Sequence, residues 1–222
     1  MCTVTIVALS GRTRLACNRD ELRSRVVALP PVIRETGGGR AIMPIDPLSR
    51  GTWIAVNDAG LVATLLNVNL AEPPPGPRLS SRGGLVPALV ACDTLGEAER
   101  VALGVRPADY PPFRLVAADG SEVLDVFSDG ARLEHARRSL PGGPVLFTSS
   151  GLGDALVEGP RRALLNQMFA PGGDLSAQQD AYHRHSWPGR RHLSVCMERE
   201  EASTVSHTLI EIDARRVALT YV

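Results

Sequence analysis

The chain opens with Met1-Cys2-Thr3-Val4-Thr5-Ile6-Val7-Ala8-Leu9-Ser10-Gly11-Arg12-Thr13-Arg14-Leu15-Ala16-Cys17-Asn18-Arg19-Asp20-Glu21. Thr, Val and Ile between Thr3 and Val7 favour extended backbone, because branched side chains suit a pleated, half-buried surface. Ser10-Gly11 is a turn signal, and residues 13–18 supply a return strand. Residues 2–8 and 13–18 are therefore expected to form a β-hairpin. A two-residue loop at Ser10-Gly11 places Cys2 opposite Arg19, and a loop one residue longer places it opposite Asp20. Directly opposed side chains share a face. In either register Asn18-Arg19-Asp20-Glu21 lies beside Cys2.

That neighbourhood suits a particular chemistry. If Met1 is removed, Cys2 carries both a thiol and a free α-amino group. Such an amine has a pKa of about 8, far below that of a lysine, so it takes up the thiol proton near neutral pH. Arg19 is placed to stabilise a thiolate by its charge, and Asp20 to orient the amine. The competing reading is an ordinary charged turn facing water.

Beyond the hairpin, residues 30–50 read as loop, with Pro30-Pro31, Gly37-Gly38-Gly39, Pro44 and Pro47. Residues 51–57 and 61–67 form a second hairpin pattern around Asp58-Ala59-Gly60, apolar enough for burial on both faces. Pro73-Pro74-Pro75 marks an extended loop. Helical spacing appears at 83–92, and Thr94 is placed to cap a short helix ending near Gly104. Segments 113–118, 122–127 and 132–136 read as strands joined by Asp119-Gly120 and Asp129-Gly130. Val145–Thr148 reads as another strand, Pro160 is expected to open a helix ending near Phe169, and 174–185 is a further helical segment. Three C-terminal strands are expected at 192–198, 203–212 and 216–222. The pattern is that of one α+β domain over residues 1–222, with antiparallel strands covered by a few helices.

Taken in order, Met1-Cys2, Asn18-Arg19-Asp20-Glu21, Gly51-Thr52-Trp53-Ile54-Ala55-Val56-Asn57, Gly60-Leu61, Asn67 and Ser81-Arg82-Gly83 resemble the family named for the Asn-Arg-Asp-Glu tetrapeptide, which includes the transport and Golgi organisation protein 2 group. The resemblance spans most of the chain. It implies an N-terminal-nucleophile hydrolase fold, a four-layer αββα sandwich of two mostly antiparallel sheets. More distantly the chain is similar to choloylglycine hydrolases and penicillin V acylases. These also begin Met-Cys and carry an Asn-x-Asp, matched by Asn18 and Asp20. Their Asn-x-x-Gly-Leu and downstream Asn are matched by Asn57, Gly60, Leu61 and Asn67.

The resemblance implies Cys2 as nucleophile, with Asp20 and Asn67 as its catalytic companions and Asn67 as oxyanion donor, a role worth about 3–4 kcal/mol when preorganised. Asn18, Arg19, Glu21, Trp53, Arg82 and Ser149 are the candidate binding residues. Ser149 stands where those enzymes place an Asn after an apolar strand, and a hydroxyl reaches less far than an amide. Trp53 reads as core packing or a cleft wall, and Arg82 as a site residue or a surface charge. The implied activity is hydrolysis of an amide or related acyl bond of a small molecule, without a cofactor. The alternative implied by the family is a non-catalytic carrier of haem or lipid.

Composition narrows the partners. Among 222 residues, Lys+Arg and Asp+Glu each number 24, so a zero net charge offers no electrostatic reason to bind nucleic acid or an anionic membrane. No segment has the length of a membrane-spanning helix, and the start lacks a basic leader, so a cytoplasmic location is the expectation. Cys17, Cys92 and Cys196 read as buried free thiols. His183-Arg184-His185 has no Cys or carboxylate at ligand spacing, so it reads as a solvated polar stretch rather than a metal site.

Overall fold

Branched and apolar residues alternate along much of the chain, and the backbone follows them into strands. The computed structural model describes residues 2–37, 39–70, 80–140 and 142–222. Met1, Gly38 and the triple proline at 73–75 lie outside the described residues. In chain order the strands are β1 Cys2–Leu9, β2 Arg12–Leu22, β3 Leu29–Glu35, β4 Arg40–Ile45, β5 Ile54–Asn57, β6 Val62–Asn67, β7 Phe113–Ala118, β8 Glu122–Ser128, β9 Leu133–Ser139, β10 Val145–Thr148, β11 Ala202–Asp213 and β12 Val217–Tyr221. The helices are α1 Leu85–Val90, α2 Leu95–Leu103, α3 Asp154–Met168 and α4 Leu175–Arg184. Two compact units emerge. One comprises the chain up to Arg25 together with the part from Leu140 onward, and the other is Val26–Ser139.

In the first unit, the sheet runs β10-β1-β2-β11-β12 with every pairing antiparallel. The hairpin turns at Ser10-Gly11, where Gly11 takes φ +74, a conformation a side chain would resist. Cys2 lies opposite Arg19, Thr3 opposite Asn18 and Val4 opposite Cys17. Helices α3 and α4 cover one face. Thr3 Oγ1 accepts from Arg161 at 2.7 Å, and Thr5 Oγ1 meets His183 Nε2 at 2.7 Å. Thr3, Thr5, Asn18 and Asp20 therefore face the helices. By strand alternation Cys2, Val4 and Ile6 share the opposite face with Leu15, Cys17 and Arg19.

Two expectations in this unit are corrected. Helix α3 begins at Asp154 rather than Pro160, and Pro160 lies inside it. Its buried stripe Val157, Arg161, Leu164, Leu165 has helical spacing, so packing of that stripe outweighs the hydrogen bond forfeited at the proline. The strand expected at 192–198 is instead a 3-10 turn at Arg191–Leu193 followed by irregular backbone with one bridge, Glu198 to Ser203. Side chains occupy this segment's carbonyls: Arg161 donates to Leu193 O and Ser194 O, and Asn18 to Val195 O.

In the second unit the sheet order is β3-β4-β5-β6-β7-β8-β9, again antiparallel throughout. Helices α1 and α2 pack on it, and Leu85, Val86, Leu89, Leu95 and Ala98 join Ala55, Ala63, Leu115 and Leu124 in a buried core. Thr94 caps α2 as expected, its Oγ1 accepting from Glu97 N at 3.2 Å. The expected loop at 30–50 proves to hold β3 and β4. The pairing register slips between Leu29 and Val32, where Pro30-Pro31 cannot donate to a ladder, and β3 tolerates this because it is an edge strand.

The motif residues of this unit have packing roles. A Cβ on Gly51 would meet Gly83 O at 2.3 Å, and Gly83 O accepts from Thr52 N, so the Gly51-Thr52 and Arg82-Gly83 segments lock backbone to backbone. Asn57 Nδ2 donates to Val90 O at 3.1 Å and Cys92 O at 2.8 Å, closing the end of α1, while its Oδ1 accepts from Leu61 N at 2.8 Å. Replacing Asn57 with Ala removes three hydrogen bonds to backbone groups, two of them buried. The expected cost is about 2–4 kcal/mol, read as a lowered urea midpoint.

Candidate active site

Cys2 begins β1 and is 3% exposed. Its backbone is gripped by the residue after β10: Cys2 N donates to Ser149 Oγ at 3.1 Å, and Ser149 N donates to Cys2 O at 2.9 Å. Interaction with the Cys17 thiol on the same strand face holds the Cys2 thiol below the usual range, against the opposing effects of burial and of the Asp20 carboxylate. The same interaction, with burial, pushes the Cys17 thiol well up. All four cysteines are free thiols. Cys17 is a neighbour of Cys2 that sequence reasoning treated as core. The signal was present, because a register placing residue 2 opposite residue 19 puts residue 17 on the same face.

Arg19 lies opposite Cys2, buried, and its Nη2 bonds Glu21 Oε2 at 3.1 Å. Glu21 also meets Arg25 Nε at 3.4 Å. Asp20 is buried against the helix side, where its Oδ1 accepts from Thr204 Oγ1 at 2.6 Å and its Oδ2 lies 4.0 Å from Arg161 Nη2. Burial raises the Asp20 carboxyl above its ordinary value even with Arg161 alongside, and burial likewise lowers the Arg161 guanidinium. Arg161 was absent from the sequence-level candidates. It is 1% exposed and donates to Thr3 Oγ1, Thr148 Oγ1, Leu193 O and Ser194 O, tying α3 to both strands beside Cys2.

Asn18 proves to be a structural hub. Its Nδ2 donates to His183 O at 2.8 Å and Val195 O at 2.9 Å, and its Oδ1 accepts from His183 Nδ1 at 3.0 Å and His207 Nδ1 at 2.9 Å. Two donors and two lone pairs are thus occupied, which leaves the amide no capacity for a ligand. The same bonds correct the reading of His183 as solvated, while Arg184 is exposed as expected. His183 is buried, and its Nε2 lies 2.7 Å from Thr5 Oγ1, which accepts from Gln179 Nε2 at 2.9 Å. Arg14 Nη1 donates to Gln179 Oε1 at 2.9 Å, and because burial pushes the imidazole well below its ordinary value, the neutral ring donates from Nδ1 to Asn18 and accepts at Nε2 from Thr5.

The remaining candidates belong to the second unit. Asn67 ends β6 opposite Phe113 and is half-buried. Trp53 is buried, and its carbonyl accepts from Leu65 N and Thr64 Oγ1. Arg82 is partly buried, which lowers its guanidinium pKa, and it donates to Pro112 O at 2.6 Å.

Among solved structures, the chain is similar to an N-acylethanolamine-hydrolyzing acid amidase orthologue from Caenorhabditis elegans, at TM-score 0.61 and 10% identity, over 95% of this chain and 92% of that one. It is also similar to a mutant conjugated bile acid hydrolase from Clostridium perfringens, at TM-score 0.52 and 10% identity, over 100% and 92%. Penicillin V acylase from Agrobacterium tumefaciens aligns at TM-score 0.50 and 14% identity, over 100% and 86%. No curated protein matches the chain in sequence. Two antiparallel sheets with helices, together with these likenesses, define the α+β fold of the N-terminal-nucleophile hydrolases. Within that class, the Transport and Golgi organisation 2 profile matches residues 1–160, and the chain belongs to that family.

The buried histidine has a consequence for stability. Burial, then His207, Arg14 and Arg161, push the His183 imidazole well below its ordinary value. The unfolded chain therefore binds this proton at a pH of about 6.5, while the folded protein refuses it. Stability from this group is full above that pH and is lost as pH falls below it. Asp20, whose carboxyl is raised, acts in the opposite sense. The urea midpoint of His183→Asn is expected to be lower than wild type at pH 7.5 but to fall less steeply towards pH 5.5.

Proposed function

We propose that this protein is a cysteine N-terminal-nucleophile hydrolase that cleaves an amide or related acyl bond of a small molecule, with Cys2 as nucleophile after removal of Met1. One observation carries the reading. At a single buried residue, the sulfur shares a strand face with Cys17 and Arg19 while the main-chain nitrogen lies 3.1 Å from Ser149 Oγ. Once Met1 is cleaved, that nitrogen is an amine of pKa about 8, held by Ser149 and able to take up the thiol proton.

In this reading the sulfur attacks the carbonyl carbon, and the protonated amine delivers its proton to the leaving nitrogen. Water then releases the acyl group from sulfur. Asn67 supplies the oxyanion donor, an assignment drawn from the motif resemblance. Asp20 acts through position, fixed by Thr204 and Arg161 on β2, the strand that pairs with the strand carrying Cys2. Support for an acyl substrate comes from the names of the solved relatives, an acid amidase, a bile acid hydrolase and an acylase.

Intact mass of the purified protein is expected to show loss of Met1, and a β-lactone acyl probe to label wild type but not Cys2→Ala. Labelling that persists in Cys2→Ala sinks the proposal. A second test concerns the oxyanion: Asn67→Ala should acylate about 10²–10³-fold more slowly with an unchanged urea midpoint. An equal acylation rate removes Asn67 from the mechanism.

A further inference from the structure

We infer that Cys17 is a second catalytic residue of this site, its S–H aimed at the Cys2 sulfur as a fixed hydrogen-bond donor to the nucleophile. The placement follows from backbone geometry. Cys2 lies opposite Arg19 and Val4 opposite Cys17, so the two sulfurs project from one face of adjacent strands, offset by one pleat. Both residues are buried and both are free thiols.

The donor direction follows from the surroundings. Cys17 sits in the middle of β2, walled by strand on both sides, and the residue opposite it on β11 is Thr208. The Thr208 hydroxyl is buried and makes no hydrogen bond among the described residues, so it does not take the Cys17 S–H there. Cys2 begins its strand, opposite the buried guanidinium of Arg19, and is the sulfur nearer to cationic charge. Of the side chains acting on Cys2, Arg19 favours thiolate and Asp20 opposes it. Asp20 opposes ionisation of Cys17 too, and so does Cys2 itself. The negative charge therefore resides on Cys2 and the proton on Cys17.

The chemical consequence is specific. A thiol is a weak, soft donor, so it stabilises thiolate without withdrawing the sulfur's nucleophilicity as a full cation would. The strand also holds it rigidly, whereas the Arg19 fork is partly engaged by Glu21. Cys17 thereby raises the thiolate fraction at neutral pH. Its relevance to turnover rests on the hydrolase reading above, but the hydrogen bond can be tested without any substrate.

The experiment is a pH titration of protein labelled with ¹³Cβ-cysteine, followed by NMR, with the Cys2 resonance assigned through its loss in Cys2→Ser. In wild type, Cys2 is expected to titrate first, below the ordinary thiol value of about 8.5. Cys17→Ala should move the Cys2 midpoint up by about one unit, and Cys17→Ser, which keeps a donor, should largely restore it. Labelling by an acyl probe at pH 6.5 should then be about tenfold slower in Cys17→Ala, the rate equivalent of one unit. An unchanged Cys2 midpoint in folded Cys17→Ala overturns the inference, as does a wild-type titration in which Cys17 ionises first. If the midpoint moves but no variant, wild type included, reacts with the probe, the hydrogen bond stands and the hydrolase reading fails.

Discussion

The arrangement around Cys2 depends on the register of one hairpin. A two-residue turn at Ser10-Gly11 sets Cys2 against Arg19, and from that pairing the faces of the sheet follow. Strand side chains alternate with a period of two, so a slip of one residue would move every side chain of a strand to the other face. The Cys2 thiol would then point toward the helices, where Arg161, Thr3 and Thr148 form a closed polar cluster. The register is secured from both flanks. On one side β10 pairs with β1, and Ser149 closes the end of the pairing on the Cys2 backbone. On the other side β11 pairs along nearly all of β2.

The same strands carry an unusual load of buried polar groups. Asn18, Asp20, Arg161, His183 and Gln179 all lie out of water on the helix side of the first sheet. Each would be costly alone, and each is satisfied by a partner from another element. Arg161 bonds two threonines and two carbonyls, and Asn18 joins β2 to the end of α4, to β11 and to the irregular segment at Val195. Such a network favours one arrangement over near alternatives, because displacing any member strands several others. It gives the Cys2 strand a rigid backing, which a preorganised site requires.

Motifs that look chemical turn out to divide by role. Asn18 and Asn57 spend their amides on backbone carbonyls, and Gly51 and Gly83 exist to let two chain segments touch. Arg19, Cys17 and Ser149 are the groups that meet the thiol or the backbone of Cys2. Resemblance to a family therefore marks residues that matter, and only their bonds show whether they matter for packing or for chemistry.

Local signals in the chain were sufficient for its hairpins, its strand-rich α+β class, the Thr94 cap and the closeness of Arg19 to Cys2, because turn residues and period-two patterning act over a few positions. They misled where a distant group took over. Pro30-Pro31 suggested loop, but an edge strand accommodates them; Pro160 suggested a helix start, but the stripe from Val157 to Leu165 carries the helix through it. Residues 192–198 looked like strand, yet Arg161 and Asn18 claim their carbonyls from elsewhere in the chain. What the sequence determined was the strand that carries Cys2 and the strand that pairs with it. Only the tertiary structure decided that Cys17 is buried on the Cys2 face, that Arg161 is buried beside Asp20 and that His183 is kept neutral, since burial and long-range hydrogen bonding depend on elements brought together after the local pattern is spent.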